Sequence, residues 1–474
     1  MVASGAMRAP GIVVVLATLL WTAPASAQTC TEQGARGGEA RPTLSGPVQT
    51  LDSDDGSFRL HWTDEGQDAP TAQGDGDGNG RPDFIDRILD GLETGQSAFA
   101  DGGWRPVAPD DGSEGGDAID VYVRAIDANG YAFHAPPAAG SDAASSCTIH
   151  LEASLGDSLD GVLESVAAHE LHHCVQYAYT TAAPSWLLEA TATHQQYLVF
   201  DSAALQAALD VLWITRLTQP DRPVASLGGR YEYAGFLFVF FWESFGELDA
   251  ERPPGLWEAL AEHDGAWVQA LDAESERLFD QPWTETFVDF ATWNAFACGR
   301  DDGAHYDAQR FPCQLDTTVP VEEPGDSLLI ELPDTRYAAA YASWSADGDD
   351  RPIELTCADP GADGARARVR LMALDRFLRP AEVVDVAGRG GESFSVRLEG
   401  DVDVAGSVLA VVASTGSDPI TVDCAVERVE PVVDAPPPSG SGCDCGSSDA
   451  SAALLPLLLL LPKQRRRREP RRRR

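Results

Sequence analysis

The sequence predicts an α+β protein in which a mixed sheet with helices precedes a β-sandwich. Short stretches of alternating apolar and polar residues, typical of strands, occupy residues 58–154. Longer stretches with apolar residues at helical spacing occupy residues 160–296. After Cys313 only short strand-like stretches remain, separated by Gly, Asp and Pro, which is typical of a sandwich of about a hundred residues.

The individual elements follow from the same patterns. Alternation predicts strands at 58–63, 118–126, 130–135 and 147–154. Helical spacing predicts helices at about 82–100, 160–180, 185–200, 202–217 and 230–246, with more helix within 257–296. The sandwich is expected over residues 325–428.

Both ends of the chain have the composition of processing segments. Residues 1–27 combine Arg8, an apolar run and a small-residue stretch ending at Ala27, which is typical of a secretory signal peptide. A Pro/Ser/Gly-rich linker at 429–442 leads to a tail at 443–474 with a cysteine pair, a short apolar run and an arginine cluster. The run is shorter than the ~20 residues of a comfortable membrane span, although an ordinary membrane tail is an alternative. The sequence therefore predicts an exported protein.

The charge of the chain limits its partners. The chain holds 34 basic and 75 acidic residues, which gives a formal net charge of -41. A surface this acidic repels nucleic acid and anionic membranes, so we expect neither as a partner.

The cysteines fit an exported protein, in which most of them should form disulfides. Seven lie between the signal peptide and the tail, and none has the CxxC spacing of a thiolate zinc site. Proximity along the chain favours the pairs Cys298–Cys313, Cys357–Cys424 and Cys147–Cys174. Cys30 then has no predicted partner.

The stretch VAAHELHHCVQY, residues 166–177, contains an HExxH motif. Positions i and i+4 share one face of a helix, so His169 and His173 can bind one zinc ion. Glu170 lies beside them and can act as general base toward a water activated by zinc. His172 is expected to be a neighbour of the site, and a surface helix with stray histidines is the alternative for the whole motif.

A catalytic zinc needs a third protein ligand and a donor for the oxyanion. The stretch SWLLEATATHQQY, residues 185–197, offers Glu189 on a second helix whose apolar flanks indicate burial, with His194 as the alternative ligand. Tyr231 and Tyr233 are candidate oxyanion donors, although both could be core aromatic residues.

An acidic loop, DGDGNGRPDFID at residues 75–86, has the spacing of an EF-type calcium site. Asp at the last position replaces the usual Glu, and no clear helix precedes the loop, so it resembles a dockerin-style half-site. A flexible Asp/Gly turn is the alternative. Gly80 stands where the sharp turn needs glycine, and the expected calcium ligands are Asp75, Asp77, Asn79, the carbonyl of Arg81, Asp83 and Asp86.

The metal residues resemble those of the gluzincins. Trp186, Glu189 and Ala190 match the Trp-x-x-Glu-Ala pattern of gluzincin aminopeptidases, although the segment between the two helices is shorter here. The resemblance implies a zincin-like domain over residues 28–315. It also implies that the strand at 147–154 is the edge strand that binds extended substrate.

Two wider resemblances point the same way. The segments FRLHWTDEGQDA, DGDGNGRPDFID, IDVYVRAI, HELHHCVQY and WLLEATAT together resemble a myxobacterial HExxH zinc metalloprotease family, over about Gly46 to Cys313. The tail from Gly442 resembles the MYXO-CTERM sorting signal, which implies cleavage near Cys443 or Cys445 and anchoring at, or release from, the outer surface.

The expected function is that of a secreted or surface-anchored zinc endopeptidase, a monomer that acts on protein or peptide substrates. Its cofactors are Zn²⁺ and Ca²⁺, and its tail is handled by sorting machinery. A calcium-stabilised adhesion protein with an inert metal site, whose sandwich does the binding, is the main alternative. Zinc-dependent hydrolysis of a non-peptide bond is a third possibility.

Overall fold

A computed structural model describes residues 41–110, 112, 116–135, 143–157, 161–245, 252–306, 319–332, 336–345, 351–358, 360–362, 365–375, 379–398 and 405–429. The signal peptide, nearly all of the linker and the tail lie outside these ranges, so the expectations for those segments stay predictions. The described part is a mixed α+β structure with separate sheets, as the sequence indicates.

The first sheet has five strands in the order β1-β2-β3-β5-β4. Strands β2, β3 and β5 are parallel, whereas β1 and β4 run antiparallel to their neighbours. The sequence patterns predicted every strand except β1, which is short and mostly exposed. The strands are β1 (Val48–Asp52), β2 (Phe58–Thr63), β3 (Ile119–Arg124), β4 (Gly130–Ala135) and β5 (Ser146–Glu152).

The edge of this sheet differs from the expectation. The predicted edge strand at 147–154 corresponds to β5, which lies between β3 and β4. The prediction was therefore wrong, and β4 is the edge strand. The burial pattern agrees, because all but the last residue of β5 is buried whereas β4 is mostly half-buried. Strand order depends on long-range pairing, which alternation within one strand does not reveal.

The helices agree closely with the predicted ranges. One difference is that the predicted helix at 230–246 is broken at Gly235, where a Cβ would lie 2.9 Å from the Cβ of Ala190. The helices are α1 (Asp83–Asp101), α2 (Val162–Tyr179), α3 (Ser185–Val199), α4 (Ala203–Leu217), α5 (Tyr231–Ala234), α6 (Phe236–Ser244), α7 (Arg252–Glu262), α8 (Trp267–Phe279) and α9 (Trp283–Ala295).

Helix α2, which carries the HExxH motif, packs tightly against α1. A Cβ at Gly91 of α1 would lie 2.6 Å from the backbone oxygen of Glu164 and 2.7 Å from its Cα. Arg87 of α1 also forms an ion pair with the Glu164 side chain at 2.7 Å. The two helix backbones can approach this closely only because residue 91 has no side chain.

The β-sandwich follows the helices. It contains two antiparallel four-stranded sheets, ordered β10-β9-β12-β7 and β11-β8-β13-β6, with apolar side chains between them. The strands are β6 (Ser327–Leu332), β7 (Ala338–Ser345), β8 (Ile353–Cys357), β9 (Arg366–Asp375), β10 (Pro380–Arg389), β11 (Phe394–Leu398), β12 (Ala405–Ser414) and β13 (Ile420–Arg428).

The first of the sandwich sheets also packs on helix α9. The hydroxyl of Tyr341 on β7 donates a hydrogen bond to the Ala291 carbonyl at 2.8 Å. Arg370 on β9 pairs with Asp289 of α9 at 2.7 Å. Apolar residues of this sheet, including Leu409, belong to the same core as the helices. The described residues therefore form one compact unit.

Two of the predicted disulfides are confirmed. Cys147 of β5 is bonded to Cys174 of α2, and Cys357 is bonded to Cys424 across the strand pair β8–β13. Cys298 is also disulfide-bonded, but Cys313 and Cys30 lie outside the described residues, so its predicted partner stays a prediction. Disulfides are typical of oxidising compartments. Among the described residues, none of the helices has the length and apolar content to cross a membrane.

The contact between α1 and α2 predicts the effect of a substitution at Gly91. Gly91→Val would force a side chain into the Glu164 backbone, so we expect the free energy of unfolding to fall by about 1–3 kcal/mol. Ser97→Val on the exposed face of the same helix is the control, because serine and valine have similar helix propensities. Urea unfolding measures both, and equal effects would contradict the predicted role of the close contact.

Candidate metal centre

The predicted zinc ligands converge between helices α2 and α3. His169 and His173 lie one turn apart on α2, and Glu189 lies in the first turns of α3. The Oε2 atom of Glu189 is 3.2 Å from His169 Nε2 and 3.7 Å from His173 Nε2. One ligand atom from each residue lies within 4.8 Å of the other two. All three side chains are buried.

The electrostatics of the three residues are tightly linked. Burial acts to lower the pKa of His173, but the Glu189 carboxylate outweighs it and raises that pKa to about 9. Burial would raise the pKa of Glu189, but His173 and His169 hold it well below its usual range. Glu189 is therefore held as a carboxylate beside His173, whose positive charge balances it, and a bound cation would take over that role.

The donor set fits a catalytic zinc. Two imidazole nitrogens and one carboxylate oxygen are a known combination for such sites, which keep the fourth position for water or substrate. The two histidines come from one helical face and the glutamate from a second helix, as the sequence spacing predicted. All three residues are at most 7% exposed.

Glu170 lies beside this cluster and next to the edge strand. A Cβ at Gly130, the first residue of β4, would lie 2.8 Å from Glu170 Cγ and 2.9 Å from Oε1. Glu170 is only 5% exposed, and its Oε2 atom has no hydrogen-bond partner among the described residues. Burial raises the pKa of Glu170. The Glu170 carboxyl group thus lies near the proposed metal ligands. Its Oε2 atom is the oxygen that can accept a proton from solvent or substrate.

The other two histidines near the motif face elsewhere. His172 is fully buried and packs edge-on against Trp104, with ring centroids 4.5 Å apart. Burial lowers its pKa well below the usual value. His194 lies deeper along α3, with its Nε2 atom 3.4 Å from Glu243 Oε2 of helix α6. Among the described residues the ligand cluster contains Glu189 and not His194.

The two candidate tyrosines have different surroundings. The Tyr233 ring lies beside His169, with centroids 6.1 Å apart, and is partly exposed. Tyr231 is completely buried, and its hydroxyl accepts a hydrogen bond from Arg216 at 2.5 Å. The same hydroxyl contacts the Gln219 and Arg222 carbonyls at 3.0 and 2.9 Å. Of the two candidate tyrosines, Tyr233 therefore lies beside a residue of the ligand cluster, whereas the Tyr231 hydroxyl is held by Arg216 and two carbonyls.

Gln176 is a site residue that the sequence analysis missed. Its Oε1 atom lies 2.8 Å from His173 Nδ1, on the side of the ring away from Glu189. A usable signal was present, since position i+3 from a helical ligand lies on the same face. Gln176 is also completely buried, which is unusual for an amide side chain unless it is hydrogen-bonded.

The acidic loop before α1 brings three of the predicted calcium ligands together. One carboxylate oxygen each from Asp75, Asp77 and Asp83 lies within 4.8 Å of the other two. Asp75 accepts from the backbone N–H groups of Asn79 and Gly80 at 3.0 and 2.9 Å. The Gly80 N–H lowers the pKa of Asp75.

The remaining predicted calcium ligands are held by one another. Asp86 Oδ1 accepts a hydrogen bond from Arg81 Nε at 2.5 Å, and its Oδ2 accepts from Asn79 Nδ2 at 3.0 Å. Asn79 Oδ1 accepts from the Arg81 backbone N–H at 3.0 Å. Asn79 and Asp86 thus close the loop around the three aspartates, while the expected role of the Arg81 carbonyl stays a prediction.

Comparison with known proteins adds little to this site. No protein-family model and no curated protein matches the sequence. Among solved structures, a Clostridium thermocellum endo-1,4-β-D-xylanase 10B bound to xylohexaose is similar at 13% identity and a TM-score of 0.16, over 23% of this chain and 25% of that one. A GH115 4-O-methyl-α-glucuronidase is similar at 12% identity and a TM-score of 0.14, over 59% of this chain and 46% of that one. This chain thus spans about a quarter of the xylanase and about half of the glucuronidase. Likeness at this level supports no conclusion about fold or activity.

Proposed function

We propose that this protein is a secreted, zinc-dependent endopeptidase. The observation that carries the proposal is the buried group of His169, His173 and Glu189, contributed by two helices, with Glu170 beside it. His169 and His173 would hold the metal through Nε2, and Glu189 through a carboxylate oxygen. Zinc, when bound, polarises the scissile carbonyl and makes a water molecule more acidic.

Glu170 is the general base in this proposal. It takes a proton from the attacking water and passes it to the leaving amine, as a carboxyl group can do when its pKa lies above the usual value. The Oε2 atom, which has no hydrogen-bond partner among the described residues, is the atom that would receive the proton.

The edge strand β4 is the proposed binding site for the substrate backbone. Among the residues that the structure describes, no strand pairs with its outer edge, and β4 begins at Gly130 directly against Glu170. An extended peptide that pairs with β4 would add a sixth strand to the sheet and pass the base. Because such pairing uses backbone groups within a chain rather than its ends, it favours cleavage inside a polypeptide.

Tyr233 is the proposed donor to the oxyanion that forms on the cleaved carbonyl. The proposal rests on its ring, which lies beside His169 with the two ring centroids 6.1 Å apart. A phenol O–H aimed at developing charge in a water-poor site stabilises the transition state.

The proposal includes a zincin-like arrangement of sheet and helices. A mixed sheet with an antiparallel edge strand lies over the metal helix α2, and a second helix supplies the third ligand. The two confirmed disulfides and the signal-peptide pattern support export, with the tail at 443–474 as the proposed sorting signal.

Calcium is the proposed second cofactor. The three clustered aspartates lie immediately before α1, whose Asp83 is both a loop residue and the first residue of the helix. A cation there would fix the start of α1, which in turn packs on the metal helix at Gly91. The calcium role is therefore structural.

Replacing the base tests the proposed chemistry. Glu170→Gln should lower the rate of peptide cleavage by about 10²–10⁴-fold, because the amide cannot take the proton. Zinc content should be unchanged, since Glu170 is not a ligand. The measurement is cleavage of an unfolded protein by the purified zinc- and calcium-loaded chain. Equal rates for both proteins would show that Glu170 is not the base, and no cleavage by folded, zinc-loaded wild type would favour the adhesion protein.

A substitution in the edge strand tests the position of the base. Gly130→Ala places a methyl group against the Glu170 carboxyl, so we expect a loss of cleavage rate on the order of 10²-fold through misplacement. Gly116→Ala, where the nearest atom to a new Cβ is 3.9 Å away, is the matched control. If both variants cleave peptides at the wild-type rate, the Glu170 position is unimportant.

Calcium should stabilise the protein measurably. At about 100 times its dissociation constant, calcium should raise the free energy of unfolding by about 2.7 kcal/mol. Asp75→Ala should abolish this effect, whereas Asp90→Ala, at an exposed residue of α1 outside the loop, should preserve it. Unfolding in urea with calcium or with EGTA gives the answer, and an unchanged calcium effect in Asp75→Ala would rule out this loop as the site.

A further inference from the structure

Gln176 has contacts that link the two helices of the metal centre. Its Nε2 atom lies 2.9 Å from the Leu188 carbonyl and 2.6 Å from Thr191 Oγ1, both on α3. Its Oε1 atom lies 2.8 Å from His173 Nδ1 on α2. One buried side chain therefore contacts a metal ligand on one helix and the residue before the metal ligand Glu189 on the other.

The direction of these hydrogen bonds follows from chemistry. A backbone carbonyl can only accept, so the group of Gln176 that faces Leu188 must be the NH₂ group. The oxygen of the amide then faces His173, and an amide oxygen can only accept as well. His173 Nδ1 must therefore carry a proton.

This proton position decides how His173 can act. When a metal binds, an imidazole that keeps its proton on Nδ1 offers the metal the lone pair of Nε2, the atom that faces Glu189 at 3.7 Å. Thr191 strengthens the arrangement, since its hydroxyl can donate to the Leu187 carbonyl at 2.7 Å while it accepts from Gln176. A 180° rotation of the Gln176 amide would therefore break its hydrogen bonds to His173 and to the Leu188 carbonyl.

We infer that Gln176 is a positioning residue of the zinc site, which fixes the tautomer and ring orientation of His173 and couples it to the helix that carries Glu189. The inference rests on the proposed zinc site. Groups that hold a ligating histidine in this way typically contribute about 10–100-fold to metal affinity.

The test compares two buried glutamines that bridge the same helices. Gln196 of α3 donates a hydrogen bond to Ser165 Oγ of α2 at 2.9 Å. Within the described residues, Gln196 forms no hydrogen bond with a proposed metal ligand. Gln176→Leu and Gln196→Leu each remove a buried amide between α2 and α3. Zinc dissociation constants of the purified full-length chain are measured by competition with a fluorescent chelator, together with thermal unfolding of the metal-free proteins.

We expect Gln176→Leu to raise the zinc dissociation constant by about 10–100-fold, with Gln196→Leu within about threefold of wild type. Equal zinc affinities of the two variants, in folded protein, would overturn the inference. His169→Ala separates this result from failure of the zinc site itself. If wild type and His169→Ala bind zinc equally weakly, the proposed function fails. If only His169→Ala weakens binding, the zinc site stands and Gln176 has no role in it.

A second measurement applies even if Gln176→Leu does not fold. The ¹⁵N chemical shifts of the His173 ring in zinc-loaded wild type report which nitrogen carries the proton. A protonated Nδ1 with Nε2 bound to zinc is the expected result. A proton on Nε2 would overturn the inference, because the Gln176 oxygen would then have no proton to accept.

Discussion

The structure depends on keeping one carboxylate, Glu189, charged in a buried position between two helices. A buried charge is stable only when an opposite charge or several hydrogen bonds compensate for it. His169 and His173 supply that compensation at 3.2 and 3.7 Å. The two helices must therefore keep a constant distance and rotation, because a small shift would leave the carboxylate without its partners.

Several features of the fold maintain that geometry. Gly91 lets α1 press directly on the backbone of α2, and the Cys147–Cys174 bond ties α2 to the central strand β5. On the other side, the break at Gly235 lets the α5–α6 corner contact Ala190, the residue after Glu189. The sheet, α1 and the α5–α6 corner therefore all hold the two helices of the candidate site in place.

The sandwich takes part in the same framework. Its sheet β10-β9-β12-β7 packs one face against the other sandwich sheet, and strands β7 and β9 contact α9 on the opposite face through Tyr341 and Arg370. Strand β10 of the same sheet alternates half-buried and exposed residues over 380–387. The part of the sheet that contacts α9 is therefore covered, whereas β10 remains partly exposed.

The sequence by itself determined the features that depend on local geometry. The i, i+4 spacing put His169 and His173 on one helical face, because that relation holds for any α-helix. Local patterns of apolar and polar residues also placed most strands and helices. Only the tertiary structure showed that Glu189 and not His194 lies with the two histidines, that Tyr233 and not Tyr231 lies beside His169, and that β4 and not β5 is the edge strand. Each of those choices depends on contacts between distant segments, which a local pattern of apolar and polar residues does not encode.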